Sequence, residues 1–443
     1  MLQEITLRNF KILEEVTIDP GLITVLIGPN GTGKSSIFQA LGLIKQSMNQ
    51  DKLKVDGPLV FGDFSDFLHR GNRTPFNEGE ITFGLNVAIT QPVGSFFPTK
   101  GTFLYQASFR NGLLVKHEAK VIREDGHLFI ESAYSRDSGR KLADPQWLPM
   151  EADPEVNFQI AFASYEIVAL PFFIINTRGV NKPEYRKDAD RFVTLLTEAL
   201  KNAYIVPALR GFDKLSYQQL PVPVQEIDLM MSGKTFEERA QVVANVLLHD
   251  LDIQSKVSEW TTRVTARTAS RRAALDLPYH IALETSDGKA KFNIAHEGFG
   301  TSQLLYLFTQ MALAPNKSTI CVDEPEIHLH PKAQAALSEV LVDIALSEGK
   351  QLMLSTHSEH ILMTLLTLVA EDRLKPDDLA VYYFQRNEDG DSATAERIEV
   401  NSKGQIRGGI GNFFATDEEA DRYIKTWLKK AEVWSEFSYQ MKM

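Results

Sequence analysis

Hydrophobic and polar positions predict a strand, a loop and a helix near the N-terminus. Residues 5–10 and 22–27 have the composition of β-strands, and the second run is apolar enough to be buried on both faces, as in a parallel sheet. A glycine-rich segment follows that run directly. Residues 37–44 then show the apolar spacing of a helix. This order is the one that a phosphate-binding loop requires.

The middle of the chain predicts a β-rich region followed by a helical one. Between residues 80 and 131, short alternating runs are broken by glycine, proline and the pair Asn111-Gly112, which favours antiparallel strands and hairpins. Longer periodic segments favour a helical insertion with helices at 189–203, 236–251 and 253–275.

The last third of the chain returns to alternating strands and helices. Residues 319–322 and 351–354 predict buried strands, and residues 332–346 predict the helix between them. The tail predicts a strand pair, a glycine-rich turn at 408–411 and a terminal helix at 418–430. The predicted division is therefore an N-terminal part at 1–80, a β-rich part at 81–185, a helical insertion at 186–280 and a C-terminal part at 281–443.

Composition and charge exclude several classes of protein. The 443 residues are 43% hydrophobic and 24% charged, as in ordinary globular proteins, which excludes a fibre and a disordered chain. The single cysteine, Cys321, excludes an intramolecular disulfide and a cysteine-based zinc site and favours a reducing cytoplasm. Because no apolar run reaches about 18 residues, we expect no membrane span. The net charge of −11 means that any contact with nucleic acid needs a local basic patch.

The glycine-rich segment matches a phosphate-loop pattern. Residues 28–35 read Gly-Pro-Asn-Gly-Thr-Gly-Lys-Ser, between a predicted strand and a predicted helix. In such a loop, backbone N–H groups converge on phosphate oxygens, a lysine adds positive charge, and a hydroxyl binds Mg²⁺. The predicted nucleotide-binding residues here are Asn30, Gly31, Gly33, Lys34, Ser35 and Ser36.

Polar residues follow each of the two predicted strands of the last third. Asp323 and Glu324 come directly after residues 319–322, so Asp323 is a candidate for holding Mg²⁺ and Glu324 for polarising the attacking water. A loop N-cap is the alternative for an isolated Asp-Glu pair. His357 follows the next strand and is a candidate for contact with a γ-phosphate, whereas a lone histidine would more often be structural.

The order of these motifs resembles the ABC-type ATPases, in the group that contains RecF, the SMC proteins and the OLD-like ATPases. The segments that carry the resemblance are Asn9-Phe10-Lys11 and residues 28–36, 297–303, 323–331 and 355–358. The resemblance implies an α/β fold, with an ABC-type P-loop NTPase head, a mixed β-sheet, an antiparallel β subdomain and a helical insertion. It implies ATP and Mg²⁺ as ligands, with Lys34, Glu324 and His357 in catalysis and Ser35 and Asp323 at the metal.

The resemblance also implies that two copies share each nucleotide. Residues 299–303 stand where the family has its signature, although a typical signature reads Leu-Ser-Gly-Gly-Gln. We expect Gly300, Ser302 and Gln303, at the start of a helix over 303–312, to complete the site of a second copy, in a homodimer or a larger assembly of dimers. A plain helix N-cap is the alternative.

Four further predictions concern single segments. His69 or Arg70 would take the nucleotide-sensing position of the family's glutamine loop, with an ordinary solvated turn as the alternative. Residues 326–331 would form a dimer-contact loop and not a metal site. Arg210 would face the nucleotide or the partner subunit. The triplet Arg263, Arg267 and Arg271 repeats at i, i+4 and i+8, which on a helix forms one basic stripe for DNA or an acidic partner, or else a solvated face.

These features favour an ATPase that controls a separately encoded effector. The 86 residues after His357 contain no convincing carboxylate set of a Toprim nuclease, so we expect a stand-alone OLD-like ATPase whose effector is a nuclease or a toxin, as in prokaryotic anti-phage defence. One alternative is a RecF-like DNA-binding ATPase in repair or genome maintenance. Another is a nucleotide-dependent scaffold that does not hydrolyse ATP.

Overall fold

A computed structural model provides the structure of the protein. It describes residues 1–47, 52–56, 62–69, 79–89, 100–135, 148–149, 157–161, 174–177, 198–218, 235–272, 280–285 and 289–407. The chain forms two compact units. The first contains Met1–Pro20, Ser35–Ile205 and Arg386–Thr394, and the second contains Gly21–Lys34, Val206–Gln385 and Ala395–Met443. The predicted turn at 408–411 and the predicted helix at 418–430 lie outside the described residues.

The strands and helices are numbered in chain order. The strands are β1 (Leu2–Phe10), β2 (Leu13–Ile18), β3 (Ile23–Ile27), β4 (Glu80–Ile89), β5 (Gly101–Arg110), β6 (Leu113–Arg123), β7 (Leu128–Ser135), β8 (Leu148–Pro149), β9 (Asn157–Ala161), β10 (Ile174–Thr177), β11 (Ala203–Val206), β12 (Arg267–Arg272), β13 (His280–Thr285), β14 (Lys291–Asn293), β15 (Thr319–Asp323), β16 (Gln351–Ser355), β17 (Leu379–Arg386), β18 (Ala393–Val400) and β19 (Ile406–Arg407). The helices are α1 (Lys34–Gln46), α2 (Phe64–Phe67), α3 (Phe236–His249), α4 (Leu251–Thr265), α5 (Phe299–Leu313), α6 (Pro331–Glu348) and α7 (Glu359–Ala370).

The first unit contains an antiparallel sheet in the order β2-β1-β4-β5-β6-β7. Asn111 and Gly112 have φ values of +52° and +76° and join β5 to β6, as the predicted hairpin requires. One face is held by edge-on ring contacts, with centroids 5.7 Å apart between Phe10 and Phe83 and 5.9 Å apart between Phe83 and Phe109. The predicted antiparallel region is therefore confirmed.

The second unit contains parallel strands in the order β15-β16-β3-β17. Every residue of β3 and β16 is buried, which explains why both sequences are mostly apolar and do not alternate between apolar and charged residues. Helices α5 and α7 are buried along most of their lengths. The predicted α/β fold with both parallel and antiparallel strands is confirmed.

The predicted helix at 253–275 is wrong in its second half. Helix α4 ends at Thr265, because Ala266 adopts a left-handed conformation with φ +55° and the chain continues as β12. Arg263 therefore lies on a helix, whereas Arg267 and Arg271 lie on a strand, and the three do not form one helical stripe. Arg263 forms an ion pair with Asp343, with 2.5 Å between Nη2 and Oδ2, and Arg267 pairs with Glu297 at 3.5 Å. A role of these arginines in DNA or partner binding stays a prediction.

No helix within the described parts of the chain is long and apolar enough to cross a membrane. The four-part division into 1–80, 81–185, 186–280 and 281–443 also stays a prediction.

Candidate functional site

The candidate site lies at the carboxyl ends of neighbouring parallel strands in the second unit. In the sheet register, Asp323 of β15 pairs with Ser355 of β16, and Ser355 pairs with Leu26 of β3. The residues that follow these strands therefore leave the sheet at one edge. Two backbone hydrogen bonds extend this row, from the Glu324 N–H to the Ser355 carbonyl at 2.8 Å and from the Thr356 N–H to the Leu26 carbonyl at 3.0 Å.

The phosphate loop leads from β3 into α1. Gly31 and Gly33 have φ values of +73° and +97°, which residues with a side chain rarely adopt. Asn30 and Gly31 are exposed, whereas the Lys34 side chain is buried, and its Nζ donates to the carbonyls of Gly28 at 2.9 Å and Pro29 at 2.8 Å.

Helix α1 offers a positive end to an anion. Lys34, Ser35 and Ser36 are its first three residues, and its first turn contains no acidic side chain. The positive end of the helix dipole is therefore not neutralised locally. The loop and helix thus have the features of an anion-binding site, as the sequence predicts.

Carboxylates face the lysine of the phosphate loop. Burial lowers the pKa of Lys34 to about 8, and the negative charges of Asp323, Glu324 and Glu326, in that order, oppose this shift. A lysine with this pKa is mostly charged at neutral pH. The second unit therefore places a cation beside carboxylates from the end of β15.

The turn after β15 has an unusual backbone. Glu324 is a non-glycine residue with φ +46°, a left-handed conformation that costs free energy unless its surroundings hold it. Its side chain and that of Asp323 are only partly buried, so both can meet a ligand. The bond from the Glu324 N–H to Ser355 is one of the contacts that hold this turn.

Glu326 joins this turn to the segment that carries His357. Its Oε1 accepts from the Thr356 hydroxyl at 2.6 Å and from the His357 N–H at 2.9 Å. Its Oε2 is buried without a hydrogen-bond partner among the described residues, and burial raises the pKa of Glu326. Sequence reasoning assigned Glu326 only to a contact loop, because nothing in the local pattern marks its partners 30 residues away.

His357 lies near Lys34, Glu324 and Asp323, and its contact with a γ-phosphate stays a prediction. Burial lowers its pKa, the nearby Lys34 charge lowers it further, and Glu324 and Asp323 oppose the shift. The imidazole is therefore neutral at pH 7, when one ring nitrogen can donate a hydrogen bond and the other can accept one.

The residues present fit a nucleotide with a divalent cation. The positive-φ glycines and Lys34 suit phosphate oxygens, and the half-buried Asp323 offers a carboxylate oxygen of the kind that Mg²⁺ prefers. Glu324 is a carboxylate of the type that orients an attacking water.

The signature segment differs from its prediction. Helix α5 begins at Phe299, four residues before the predicted start at 303. The Ser302 hydroxyl is 2% exposed, accepts from the Phe212 N–H at 2.6 Å and donates to the Phe212 carbonyl at 3.0 Å. Gln303 is also buried. Both side chains therefore pack within their own subunit, and their contact with a second copy's nucleotide stays a prediction.

Gly300 is buried as well and packs closely against the His328 backbone, and its contact with nucleotide stays a prediction. A Cβ there would lie 2.5 Å from the carbonyl oxygen of His328. The residues at this helix end that remain accessible are Gly298 and Phe299, and Phe299 is 42% exposed with its ring edge-on to His328.

Arg210 lies within its own subunit and does not face solvent. Its side chain is 1% exposed. Nη1 donates to the carbonyls of Pro207 at 3.0 Å and Asp323 at 2.7 Å, and Nη2 donates to the carbonyl of Glu324 at 2.9 Å. These contacts are to Pro207, directly after β11, and to the turn after β15, and the expectation that Arg210 faces the nucleotide or the partner subunit stays a prediction.

The glutamine-loop prediction concerns the first unit. His69 is 4% exposed, and its Nδ1 lies 3.0 Å from the Lys11 carbonyl. Arg70 lies outside the described residues. A role of either residue in sensing nucleotide stays a prediction.

The fold and the site together define a P-loop nucleotide-binding protein. Residues 23–363 match the family described as "AAA domain, putative AbiEii toxin, Type IV TA system", and the chain belongs to this family.

Two curated proteins are similar in sequence to this chain. It is 25% identical over 396 residues to the OLD nuclease of Thermus scotoductus, covering 88% of this chain and 65% of that protein. It is 34% identical over 80 residues to the chromosome partition protein Smc of Methanocaldococcus jannaschii, covering 17% of this chain and 6% of that protein. The chain thus spans less than two thirds of the length of either relative. The family and the OLD match confirm the predicted OLD/SMC-like ATPase class.

Two solved SMC heads match the chain over most of its length. An SMC head bound to the C-terminal winged-helix domain of ScpA has a TM-score of 0.49 at 13% identity, covering 90% of this chain and 98% of that one. The Smc head of Pyrococcus furiosus bound to the C-terminal domain of ScpA has a TM-score of 0.47 at 11% identity, covering 90% of this chain and 96% of that one.

Proposed function

We propose that this protein binds ATP with Mg²⁺ and hydrolyses ATP to ADP and phosphate. The observation that carries the proposal is the placement of the Lys34 cation beside the carboxylates of Asp323 and Glu324 and the imidazole of His357, at the edge where β3, β15 and β16 end. Family membership supports the same conclusion.

Each group has a role in this proposal. The phosphate loop and Lys34 bind and orient the triphosphate, and Ser35 and Asp323 would hold Mg²⁺, which supplies positive charge to the phosphates when bound. Glu324 accepts a hydrogen bond from the attacking water and aligns it with the γ-phosphorus. His357, neutral at pH 7, donates a hydrogen bond to a γ-phosphate oxygen as charge develops there.

The decisive experiment is Glu324→Gln. The amide keeps the size of the side chain but loses the charge that polarises water, so we expect phosphate release to fall about 100-fold or more while ATP binding changes by less than about threefold. Phosphate release and the Kd of a fluorescent ATP analogue check this. Equal turnover in Glu324→Gln and the parent protein would reject the assignment, and negligible turnover in both would favour the scaffold alternative.

We further propose that two copies close around nucleotide. Support comes from the accessible Gly298 and Phe299 at the start of α5, where the helix dipole favours an anion. Light scattering of Glu324→Gln with ATP should show a dimer or a multiple of one, and Phe299→Asp should weaken it. A monomer at saturating ATP would contradict this proposal.

We also propose which kind of partner the ATPase controls. Similarity to a protein named a nuclease supports control of a separately encoded nuclease or toxin effector, as in anti-phage defence. Affinity purification of ATP-bound Glu324→Gln from its native host tests this. A stoichiometric nuclease or toxin supports effector control, whereas co-purifying DNA supports the RecF-like alternative.

A further inference from the structure

One segment, buried from Arg210 to Phe212, joins the turn at Asp323 and Glu324 to the start of helix α5. It consists of residues 207–212 and is called here the arginine segment. At one side, Arg210 donates to the carbonyls of Asp323 and Glu324, which are 113 and 114 residues away in sequence. At the other side, Phe212 exchanges two hydrogen bonds with the Ser302 hydroxyl.

The contact of Arg210 falls on the strained part of the turn. Glu324 has φ +46°, and the carbonyls on both sides of its φ and ψ bonds accept from the one guanidinium. A planar fork that bonds two successive carbonyls fixes their relative orientation, which a single-point donor such as lysine cannot do. The direction in which the Glu324 side chain leaves the backbone therefore depends on this bridge.

The chemistry of Arg210 suits a permanent internal support. Its hydrogen bonds to Pro207, Asp323 and Glu324 all go to backbone carbonyls, and its Nε is buried without a partner among the described residues. Burial lowers its pKa to about 10, against the charges of Glu326 and Asp323. The guanidinium therefore stays charged at neutral pH and keeps its strong hydrogen bonds.

The packing of Gly211 adds a second contact to the same helix start. A Cβ at Gly211 would lie 3.1 Å from the Ser302 Oγ and 3.5 Å from the Gln303 Cγ, and the residue has φ +127°. The arginine segment thus packs closely against the start of α5.

We propose that Arg210 is a positioning residue that holds the Asp323–Glu324 turn in its reactive backbone conformation, and that the arginine segment links this turn to the start of α5. The proposal rests on the proposed function for its kinetic consequence. Its structural consequence, a less protected turn when Arg210 is removed, does not.

The experiment compares Arg210→Ala and Arg210→Lys with Lys350→Met as a matched control. Lys350 is another cation that is 1% exposed in the same unit, and it donates to the Met311 carbonyl and to Glu348. Lys350→Met removes a buried charge whose hydrogen bonds go to Met311 and Glu348 and not to the Asp323–Glu324 turn. Thermal unfolding identifies variants of comparable stability before activity is compared.

We expect Arg210→Ala to lower kcat about 100-fold with KM and nucleotide Kd within about threefold, since small misplacements of a catalytic group have effects of this size. Arg210→Lys should lose about tenfold, because it keeps the charge but not the fork. Added guanidinium at low millimolar concentration should restore part of the kcat of Arg210→Ala and none in Lys350→Met. Hydrogen exchange of peptides over 323–327 should be faster in both Arg210 variants than in Lys350→Met.

Two outcomes of these measurements would contradict the proposal. Unchanged kcat and unchanged exchange in a folded Arg210 variant would overturn it, as would a similar kcat loss in Lys350→Met. A nucleotide Kd that weakens in step with kcat would instead mean that Arg210 contacts the ligand. If Arg210→Ala does not fold, the same criteria apply to Arg210→Lys. If neither the parent protein nor Glu324→Gln hydrolyses ATP, the proposed function fails, and the exchange measurement still decides the role of Arg210.

Discussion

The phosphate loop and the start of α5 are two glycine-containing helix openings with similar sequences and different uses of glycine. In the phosphate loop, Gly31 and Gly33 adopt positive φ values, and Asn30 and Gly31 are exposed. At the start of α5, Gly300 is helical and buried, and it lies where a side chain would strike the His328 carbonyl. Both openings combine glycines with hydroxyl residues, and the phosphate loop also contains Lys34.

Glycine and hydroxyl residues before a helix can therefore serve two different physical purposes. One glycine permits a backbone that presents N–H groups to an anion. The other permits two segments of the same chain to approach closely. At the start of α5 the Ser302 hydroxyl bonds to Phe212 of its own chain, so this opening serves intramolecular packing first.

The largest expected effect separates the two openings by ligand binding. Lys34→Ala removes the cation of the phosphate loop, so we expect the Kd of an ATP analogue to rise about 100-fold or more, equivalent to about 3 kcal/mol. Fluorescence titration measures it. Ser302→Ala, at the other opening, should change this Kd by less than about threefold. Similar Kd losses in the two variants would contradict the contrast between the openings.

A smaller effect concerns packing at the start of α5. Gly300→Ala places a methyl group against a backbone carbonyl 2.5 Å away, so we expect it to lower the free energy of unfolding by about 1–3 kcal/mol despite the better helix propensity of alanine. Urea unfolding of the full chain measures this change.

Gly298→Ala is the matched control at the same helix end. A Cβ there meets nothing within 4 Å, so the cost should stay below about 1 kcal/mol, from the weaker N-cap. Equal stability of the two variants would show that Gly300 is not a close-packing position.

The smallest effect is the pH dependence of nucleotide binding. Lys34 has a pKa lowered by burial to about 8, so its charge is present below that pH and is lost as the pH rises through it. We expect the Kd of an ATP analogue to rise up to about tenfold between pH 7.5 and pH 9. Lys34→Arg keeps its charge in this range and should give a flat profile. A flat profile in the parent protein would show that Lys34 stays protonated.

The predictable parts of the fold were those with a local signal. Continuous apolar runs identified β3, β15 and β16, and Asn111-Gly112 identified a hairpin. The end of α4 was missed, because the arginines that follow are compatible with a helix and the left-handed Ala266 has no marker such as glycine.

The sequence alone was enough to predict the phosphate loop, the carboxylate pair after β15 and the histidine after β16. Each of these depends on a few adjacent residues and on the direction of one strand. The folded structure was needed to find three contacts: Arg210 donates to the Glu324 carbonyl, Glu326 accepts from the His357 N–H, and Ser302 donates to the Phe212 carbonyl. The physical reason is that a buried polar group takes its partner from whichever segment the fold brings beside it. In this protein those segments lie between 31 and 114 positions away along the chain.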